Sequence, residues 1–190
     1  MEPSGTIIAL PEYLKVEFIQ TSEIKSGNIV VEKRDQFKIL EGVHKGEFAS
    51  VKQDPSGRSN LGKPLPAYGG PAAVVFNRAK KELTYQGNKK TRAITDPTAP
   101  TPLGAHNIQI PDFPHDIGRR YLVQTPYALS WFFIGQGRAV LGRNERYLHT
   151  GELSLGCVTV DPSGWTDLYK YLILCRKGDD YSVGTIRVIN

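Results

Sequence analysis

The 190-residue chain has little of several features that mark common protein classes. Its two cysteines, Cys157 and Cys175, allow at most one disulfide, and neither a Cys-x-x-Cys nor a His-Glu-x-x-His spacing for zinc is present. No apolar run approaches the ~18 residues that a membrane-spanning helix needs. The sequence therefore predicts no membrane span and no zinc site of those two kinds.

Concentrated positive charge is also missing, although the net charge is +5. A net positive charge favours polyanionic partners. The basic residues are nevertheless dispersed, with short pairs such as Lys80-Lys81 and Lys89-Lys90, and no basic stripe interleaved with aromatic residues is present. Dispersed charge is typical of a solvated surface, so we expect no nucleic-acid partner.

Turn-forming residues are abundant and scattered, with 19 glycines and 13 prolines among 39% hydrophobic residues. This pattern favours many short strands joined by turns, so the expected class is mainly β. Residues 1–65 contain β-like runs at 14–18, 28–31, 37–40 and 47–51. They predict a small β-rich segment, either an SH3-like barrel or an extension of the main sheet. A polar linker at 54–64 separates it from a domain at 66–190.

One helix is expected in the second domain. Asp161 is a suitable N-cap with Pro162 at the first helical position, and Gly178 follows the end. Apolar side chains then recur at steps of three and four residues. They are Trp165, Leu168, Tyr169, Leu172 and Cys175. This spacing predicts that Cys175 packs in the core and forms no disulfide with Cys157.

The stretch 147–160 carries the strongest chemical signal in the chain. It places His149 and Cys157 eight positions apart, at the ends of two short β-like runs with small residues between them. If the connection folds back, both side chains lie at the same end of a sheet. A thiolate is the reactive form of cysteine, and a neighbouring imidazole can take the thiol proton and return it to a leaving amine.

The residues just before the cysteine suit the same chemistry. Gly156 lacks a Cβ, so a substrate carbonyl can approach the backbone N–H groups around Leu155, Gly156 and Cys157, which would form an oxyanion hole. Ser154 is expected to hold this turn by bonding to the backbone.

This arrangement resembles the signature of the L,D-transpeptidases, in which a histidine is followed by a Ser/Thr-His-Gly-Cys-hydrophobic run. Ser154, Gly156, Cys157 and Val158 match that run, whereas Leu155 stands where the family has its second histidine. The shorter His-to-Cys gap resembles the L,D-transpeptidase-like antibacterial effectors of type VI secretion. A second segment at 101–108, beginning Thr-Pro-Leu-Gly, resembles the family's Thr-Pro-x-Gly motif, and the resemblance covers residues 72–190.

The resemblance implies an L,D-transpeptidase-like β-sandwich with one helix after the catalytic cysteine. It implies that Cys157 attacks a peptidoglycan tetrapeptide stem with His149 as base, releasing D-alanine through a thioester, without a cofactor. It adds substrate-binding roles for Trp131, Tyr147, Thr150 and Gly151, although an aromatic residue such as Trp131 is first expected in the core.

A periplasmic or cell-wall site of action also follows from the resemblance. The N-terminal residues have no signal peptide pattern, so we expect delivery by a dedicated secretion system or the loss of a native leader. Stem peptides are the expected partners, with an immunity protein or the secretion machinery as further ones.

Two other functions stay open. A papain-like wall endopeptidase uses the same residue types but generally places cysteine before histidine, and a non-catalytic β-rich wall-binding module is favoured if Cys157 is buried and inert. His106 and His115, with Asp112 or Asp116, suggest a metal site. The segment around 110–116 is broken by prolines, so no metal site is predicted.

Overall fold

The computed structural model describes residues 6–62, 67–139 and 145–190. Eleven strands and one α-helix are assigned within these ranges, and the strands form two sheets. The prediction of a mainly β protein with one helix after Cys157 is confirmed. No described helix is long and apolar enough to cross a membrane.

The N-terminal sheet has three antiparallel strands in the order of the chain. They are β1 (Val16–Ser26), β2 (Ile29–Ile39) and β3 (Phe48–Lys52). Gly27, with φ +59°, supplies the turn between β1 and β2. The two short runs predicted at 28–31 and 37–40 belong to one strand, β2, which is exposed at its start and buried on one face only towards its end.

The larger sheet has eight strands in the order β7-β11-β4-β5-β6-β10-β9-β8. Its strands are β4 (Ala72–Asn77), β5 (Glu82–Tyr85), β6 (Lys89–Ile94), β7 (Gly104–Gln109), β8 (Phe132–Phe133), β9 (Tyr147–Thr150), β10 (Val158–Val160) and β11 (Ser182–Ile189). The C-terminal strand β11 lies inside the sheet, parallel to β4 and antiparallel to β7. A 3-10 helix (Asp116–Tyr121) lies between β7 and β8.

The helix α1 (Pro162–Ile173) begins directly after β10 and so follows the candidate site. The side chain of Asp161 accepts a hydrogen bond from the Ser163 N–H at 3.0 Å, which caps the helix as expected. The predicted apolar face is buried, with Trp165, Leu168 and Leu172 fully enclosed in the core. Cys175 is buried just beyond the end of α1, and both cysteines are free thiols.

The two sheets are joined by a buried ion pair. Arg176 donates from Nη2 and Nε to the Glu41 carboxylate at 2.6–3.0 Å, and from Nη2 to the carbonyl of Tyr13 at 2.8 Å. Nearby, the Gly42 N–H donates to the Asp180 carbonyl at 2.8 Å. The residues that flank the N-terminal sheet therefore dock on the loop between α1 and β11. The SH3-like interpretation stays a prediction, and the predicted boundary at 65/66 lies outside the described residues.

Candidate active site

The central element of the site is the pairing of β9 with β10, which run parallel with His149 opposite Thr159. Parallel neighbours usually need a long crossover. Here the strands have only four and three residues, so the return path is about 10 Å, and the seven residues 151–157 reach over about 20 Å. Cys157 comes one residue before β10 and packs against the aromatic cluster that contains Trp131, on which the His149 ring stacks.

Cys157 is half-buried against an aromatic cluster of Trp131, Phe133 and Tyr147. Its Sγ accepts a hydrogen bond from the Tyr147 N–H at 3.4 Å. Burial raises the pKa of the Cys157 thiol, while the Tyr147 N–H and the positive charge of Arg146 act in the opposite direction. The resting sulfur is therefore a protonated thiol at neutral pH.

His149 is buried with both ring nitrogens in polar contacts. Nδ1 lies 2.8 Å from the Thr150 carbonyl, which only accepts, so Nδ1 carries the proton. Nε2 lies 3.2 Å from the Thr159 hydroxyl. Burial lowers the pKa of His149 to about 4, with the Thr150 carbonyl opposing and the charge of His115 adding to the shift. The ring is therefore a neutral base at physiological pH, with its lone pair on Nε2.

The turn before Cys157 is fixed from two sides. The buried Thr101 hydroxyl donates to the Gly156 carbonyl at 2.8 Å, and the Ser154 hydroxyl donates to the Cys157 carbonyl at 2.7 Å. Gly156 has φ +100°, and a Cβ there would lie 3.1 Å from the Ala99 carbonyl oxygen, so the position requires glycine. In a trans peptide the Cys157 N–H points opposite to the Gly156 carbonyl, and thus away from Thr101.

No hydrogen bond joins the thiol to the imidazole among the described residues. The His149 ring instead contacts Thr150, Thr159 and the face of Trp131, whose ring centroid is 4.1 Å away. The thiol and the imidazole are both neutral in this resting arrangement. Catalytic hydrogen bonds are often long before substrate binds, so this geometry is compatible with a dyad that forms on binding.

The other predicted site residues occupy different environments. Trp131, Tyr147, Thr150 and Gly151 are all buried; Trp131 and Tyr147 contact His149 or Cys157, whereas Thr150 follows His149 in β9, faces the opposite side of the sheet and donates to the Val160 carbonyl. Leu155, by contrast, is 91% exposed. Oxyanion-hole and substrate-binding roles remain predictions for these residues.

The histidines that suggested a metal are separated by the fold. His106 contacts the Pro102 carbonyl, whereas His115 pairs with Asp112 and Asp116 pairs with Arg119. Within the described residues, no group of three or more His, Cys, Asp or Glu side chains is arranged to hold a metal ion.

Sequence reasoning missed two residues that contact the site directly. Thr159 touches the His149 ring, and the only signal was its position two residues after Cys157, which places it on the same strand face. Thr101 was noticed for its motif, but its contact with Gly156 spans 55 residues and is not readable from spacing.

No protein-family model and no curated protein matches the chain. Among solved structures, the chain is similar to the crystal structure of Mycobacterium tuberculosis L,D-transpeptidase 1, with 14% sequence identity and a TM-score of 0.40. The similarity covers 96% of this chain and 80% of that one. A likeness of this degree assigns no function to the chain.

Proposed function

We propose that the protein is a cysteine-dependent L,D-transpeptidase or L,D-carboxypeptidase that acts on tetrapeptide stems of peptidoglycan. The observation that carries the proposal is that Cys157 accepts from the Tyr147 N–H and packs against the cluster of Trp131, Phe133 and Tyr147, while the ring of the neutral base His149 stacks on Trp131. The motif resemblance at 154–158 supplies the substrate class.

The resting charges favour general-base catalysis over a preformed thiolate–imidazolium pair, since the thiol pKa is raised and the imidazole pKa is lowered. As Cys157 Sγ attacks the carbonyl between the third and fourth stem residues, the thiol proton passes to Nε2 of His149. The tetrahedral intermediate then collapses, the carbon–nitrogen bond breaks, and the proton leaves with the D-alanine amine. The remaining thioester is resolved by water or by an amine acceptor.

Thr159 accommodates both protonation states of His149 in this scheme. Its hydroxyl lies 3.2 Å from Nε2 and 3.1 Å from the Leu153 carbonyl, and it has one proton to donate. With a neutral ring the hydroxyl donates to Nε2. When Nε2 is protonated, the hydroxyl accepts from the ring and donates to the Leu153 carbonyl, so Nε2 has a hydrogen-bond partner in both states.

The test is incubation with purified disaccharide-tetrapeptide followed by mass spectrometry of the products. Loss of the terminal D-alanine supports carboxypeptidase action, and its exchange for an added D-amino acid supports transpeptidation. The matched control is Cys157→Ala at equal concentration. An unchanged tetrapeptide with the wild-type protein, or product formed equally by the control, contradicts the proposal.

A specific observation favours a second candidate, a non-catalytic wall-binding module. The thiol is half-buried with a raised pKa, and its hydrogen bond within the described part of the chain comes from the Tyr147 N–H and not from an imidazole. Iodoacetamide labelling at neutral pH, performed on Cys175→Ala so that one thiol remains, separates the two. Labelling of Cys157 together with turnover supports the enzyme. An inert thiol, no turnover and retained binding to isolated walls support the module.

An antibacterial role is the finer part of the proposal. We expect forced export to the periplasm to make cells swell or lyse, whereas cytoplasmic expression is harmless, because cytoplasmic precursors end in a pentapeptide. Toxicity is scored by growth and microscopy. Equal toxicity in both compartments, or toxicity that survives Cys157→Ala, contradicts the effector role.

A further inference from the structure

A chain of four stacked rings runs from the half-buried Phe113 to the buried candidate base. The rings of Phe113, His115, Trp131 and His149 stack in that order, with successive centroids 4.4, 4.3 and 4.1 Å apart. The His115 and Trp131 planes differ by only 4°. The indole of Trp131 is thus held between two imidazoles, one of which is the proposed base.

One edge of Trp131 is fixed separately. Its Nε1–H donates to the Ala128 carbonyl at 2.9 Å, so the remaining freedom of the ring is a tilt about that edge. The tilt is limited by the rings on its two faces. Removing His115 therefore leaves one face of the Trp131 indole without a stacked ring. The indole can then tilt, and the plane on which the His149 ring stacks is less well fixed.

His115 is itself held by a buried carboxylate. Its Nε2 lies 3.0 Å from Oδ1 of Asp112, whose side chain is fully buried, and the Tyr147 hydroxyl donates to Oδ2 of the same group at 2.9 Å. Burial acts to raise the pKa of Asp112, but hydrogen bonds from His115, the Phe113 N–H and Tyr147 outweigh it and lower the pKa. Asp112 is therefore a carboxylate that accepts on both oxygens.

The second branch of this network reaches the nucleophile. Tyr147 contacts Asp112 through its hydroxyl, and through its N–H it donates to Cys157 Sγ at 3.4 Å. Its ring also packs edge-on against His115, with centroids 4.5 Å apart. The Asp112–His115 pair is thus linked by contacts to both reacting groups, to His149 through Trp131 and to Cys157 through Tyr147.

We propose that Asp112 and His115 form a positioning pair that aligns the two reacting groups, His149 through Trp131 and Cys157 through Tyr147. His115 sets the ring plane on which His149 stacks. Asp112 fixes His115 and the Tyr147 hydroxyl in one arrangement. Neither residue contacts the substrate in this role.

The chain offers a matched control in its N-terminal part. His44 and Glu47 form another histidine–carboxylate pair with the same three-residue spacing and the same 3.0 Å distance, and the His44 side chain is as buried as that of His115. Their carboxylates differ, since Glu47 is 56% exposed whereas Asp112 is fully buried. Among the described residues His44 has no hydrogen bond or ring stack with either reacting group, so His44→Ala removes a comparable pair; because His44 and Asp112 line one shared pocket, the Tyr147 and His115 signals are followed in this variant as well.

The primary measurement is NMR of the His149 ring in the full chain, because stacking on Trp131 shifts its ring-proton signals. We expect these signals to move in His115→Ala, to remain in place in His44→Ala, and to return towards the wild-type positions in His115→Phe, which restores the stacked ring. His115→Gln, which keeps a donor for Asp112 but not the ring, is expected to move them as His115→Ala does.

A second, kinetic measurement rests on the proposed function. It follows the rate of D-alanine release from the tetrapeptide. Misplacing a reacting group by about 1 Å costs up to about 100-fold, so we expect kcat of His115→Ala to fall about 10- to 100-fold with KM nearly unchanged. His149 signals that stay in place in both His115→Ala and His115→Gln, or that move equally in His44→Ala, overturn the proposal. If the wild-type protein lacks turnover, the proposed function is wrong and the NMR comparison alone decides the positioning role.

Discussion

Cys157 and Cys175 are both free thiols whose pKa is raised by burial, yet their surroundings differ in kind. Cys175 packs in the main hydrophobic core, and its sulfur donates to the Tyr171 carbonyl at 3.3 Å. Cys157 is half-buried, and its sulfur accepts from the Tyr147 N–H. One sulfur lies in the main core away from any histidine stack, whereas the other packs against the aromatic cluster on which the His149 ring stacks.

The comparison teaches that burial and a raised thiol pKa do not by themselves distinguish a structural cysteine from a candidate nucleophile. Hydrogen bonds to sulfur do not distinguish them either, since the Tyr171 side chain lowers the pKa of the Cys175 thiol as the Tyr147 N–H lowers that of Cys157. The surrounding residues make the difference. Cys157 packs against the cluster on which a neutral imidazole stacks, and the polar residues Thr101 and Ser154 fix its turn.

The largest expected difference between the two cysteines is in turnover. We expect Cys157→Ala to reduce D-alanine release by about 10⁴-fold or more, as loss of a nucleophile does in other acyl-transfer enzymes. Cys175→Ala should keep full activity and lose about 1 kcal/mol of unfolding free energy, measured by denaturant titration. Equal losses of activity in both variants would remove the functional distinction between the thiols.

Replacing the base should have the next largest effect. His149→Ala is expected to lower kcat by about 10²- to 10⁴-fold, because a general base typically contributes that much. Circular dichroism should show the variant folded. Turnover at the wild-type rate in a folded His149→Ala protein would mean that another group accepts the thiol proton.

The pH dependence of the unfolding free energy tests whether His149, near Cys157, is a buried neutral base. The pKa of His149 is about 4 in the folded protein and about 6.5 when unfolded, so the unfolded chain binds more protons between these values. Stability should therefore fall as the pH drops from about 6.5 to about 4, with a contribution of about 3 kcal/mol from this group.

Denaturant titrations at pH 7 and pH 4.5 measure this loss. His149→Phe, which keeps a ring against Trp131 but does not titrate, is the control and should show a smaller loss over the same interval. An identical pH dependence in both proteins would indicate that His149 is not a buried neutral group.

The smallest expected effect concerns the turn before the nucleophile. Thr101→Val removes the hydroxyl that donates to the Gly156 carbonyl while keeping the side-chain shape, so the Cys157 N–H is held less firmly. A lost buried hydrogen bond costs about 1–3 kcal/mol, and we expect a fall in kcat of about tenfold. Thr98→Val in the same loop, whose hydroxyl bonds only locally to Asp96, should leave kcat unchanged. Equal rates for both variants would argue against a role for Thr101.

The helix and the mainly β class could be predicted because their signals are local. Asp161, Pro162 and the recurring apolar positions lie within one stretch of chain, and the structure confirms α1. The continuous strand β2 was not predicted, because the polar middle of the strand at 32–36 reads as a break. Its polar side chains are instead spread along a half-exposed ribbon, which tolerates them.

The sequence indicates candidate site residues but not the geometry in which the structure places them. Spacing indicates that His149 and Cys157 lie near each other, but not that β9 and β10 run parallel, which sets His149 against Thr159. Two further contacts join distant parts of the chain: the stacking of His115 on Trp131, and the hydrogen bond from the Thr101 hydroxyl to the Gly156 carbonyl. Such contacts depend on the tertiary fold, and no local pattern encodes them.

The most direct test of the proposed chemistry is trapping of the acyl-enzyme. The wild-type protein is mixed with disaccharide-tetrapeptide, quenched in acid, and analysed by intact-mass spectrometry and peptide mapping. The proposed mechanism predicts an added disaccharide-tripeptide acyl group on Cys157, removable by hydroxylamine, and none on Cys175. D-alanine release with no adduct on Cys157, or an adduct on another residue, would contradict the assignment of Cys157 as the nucleophile.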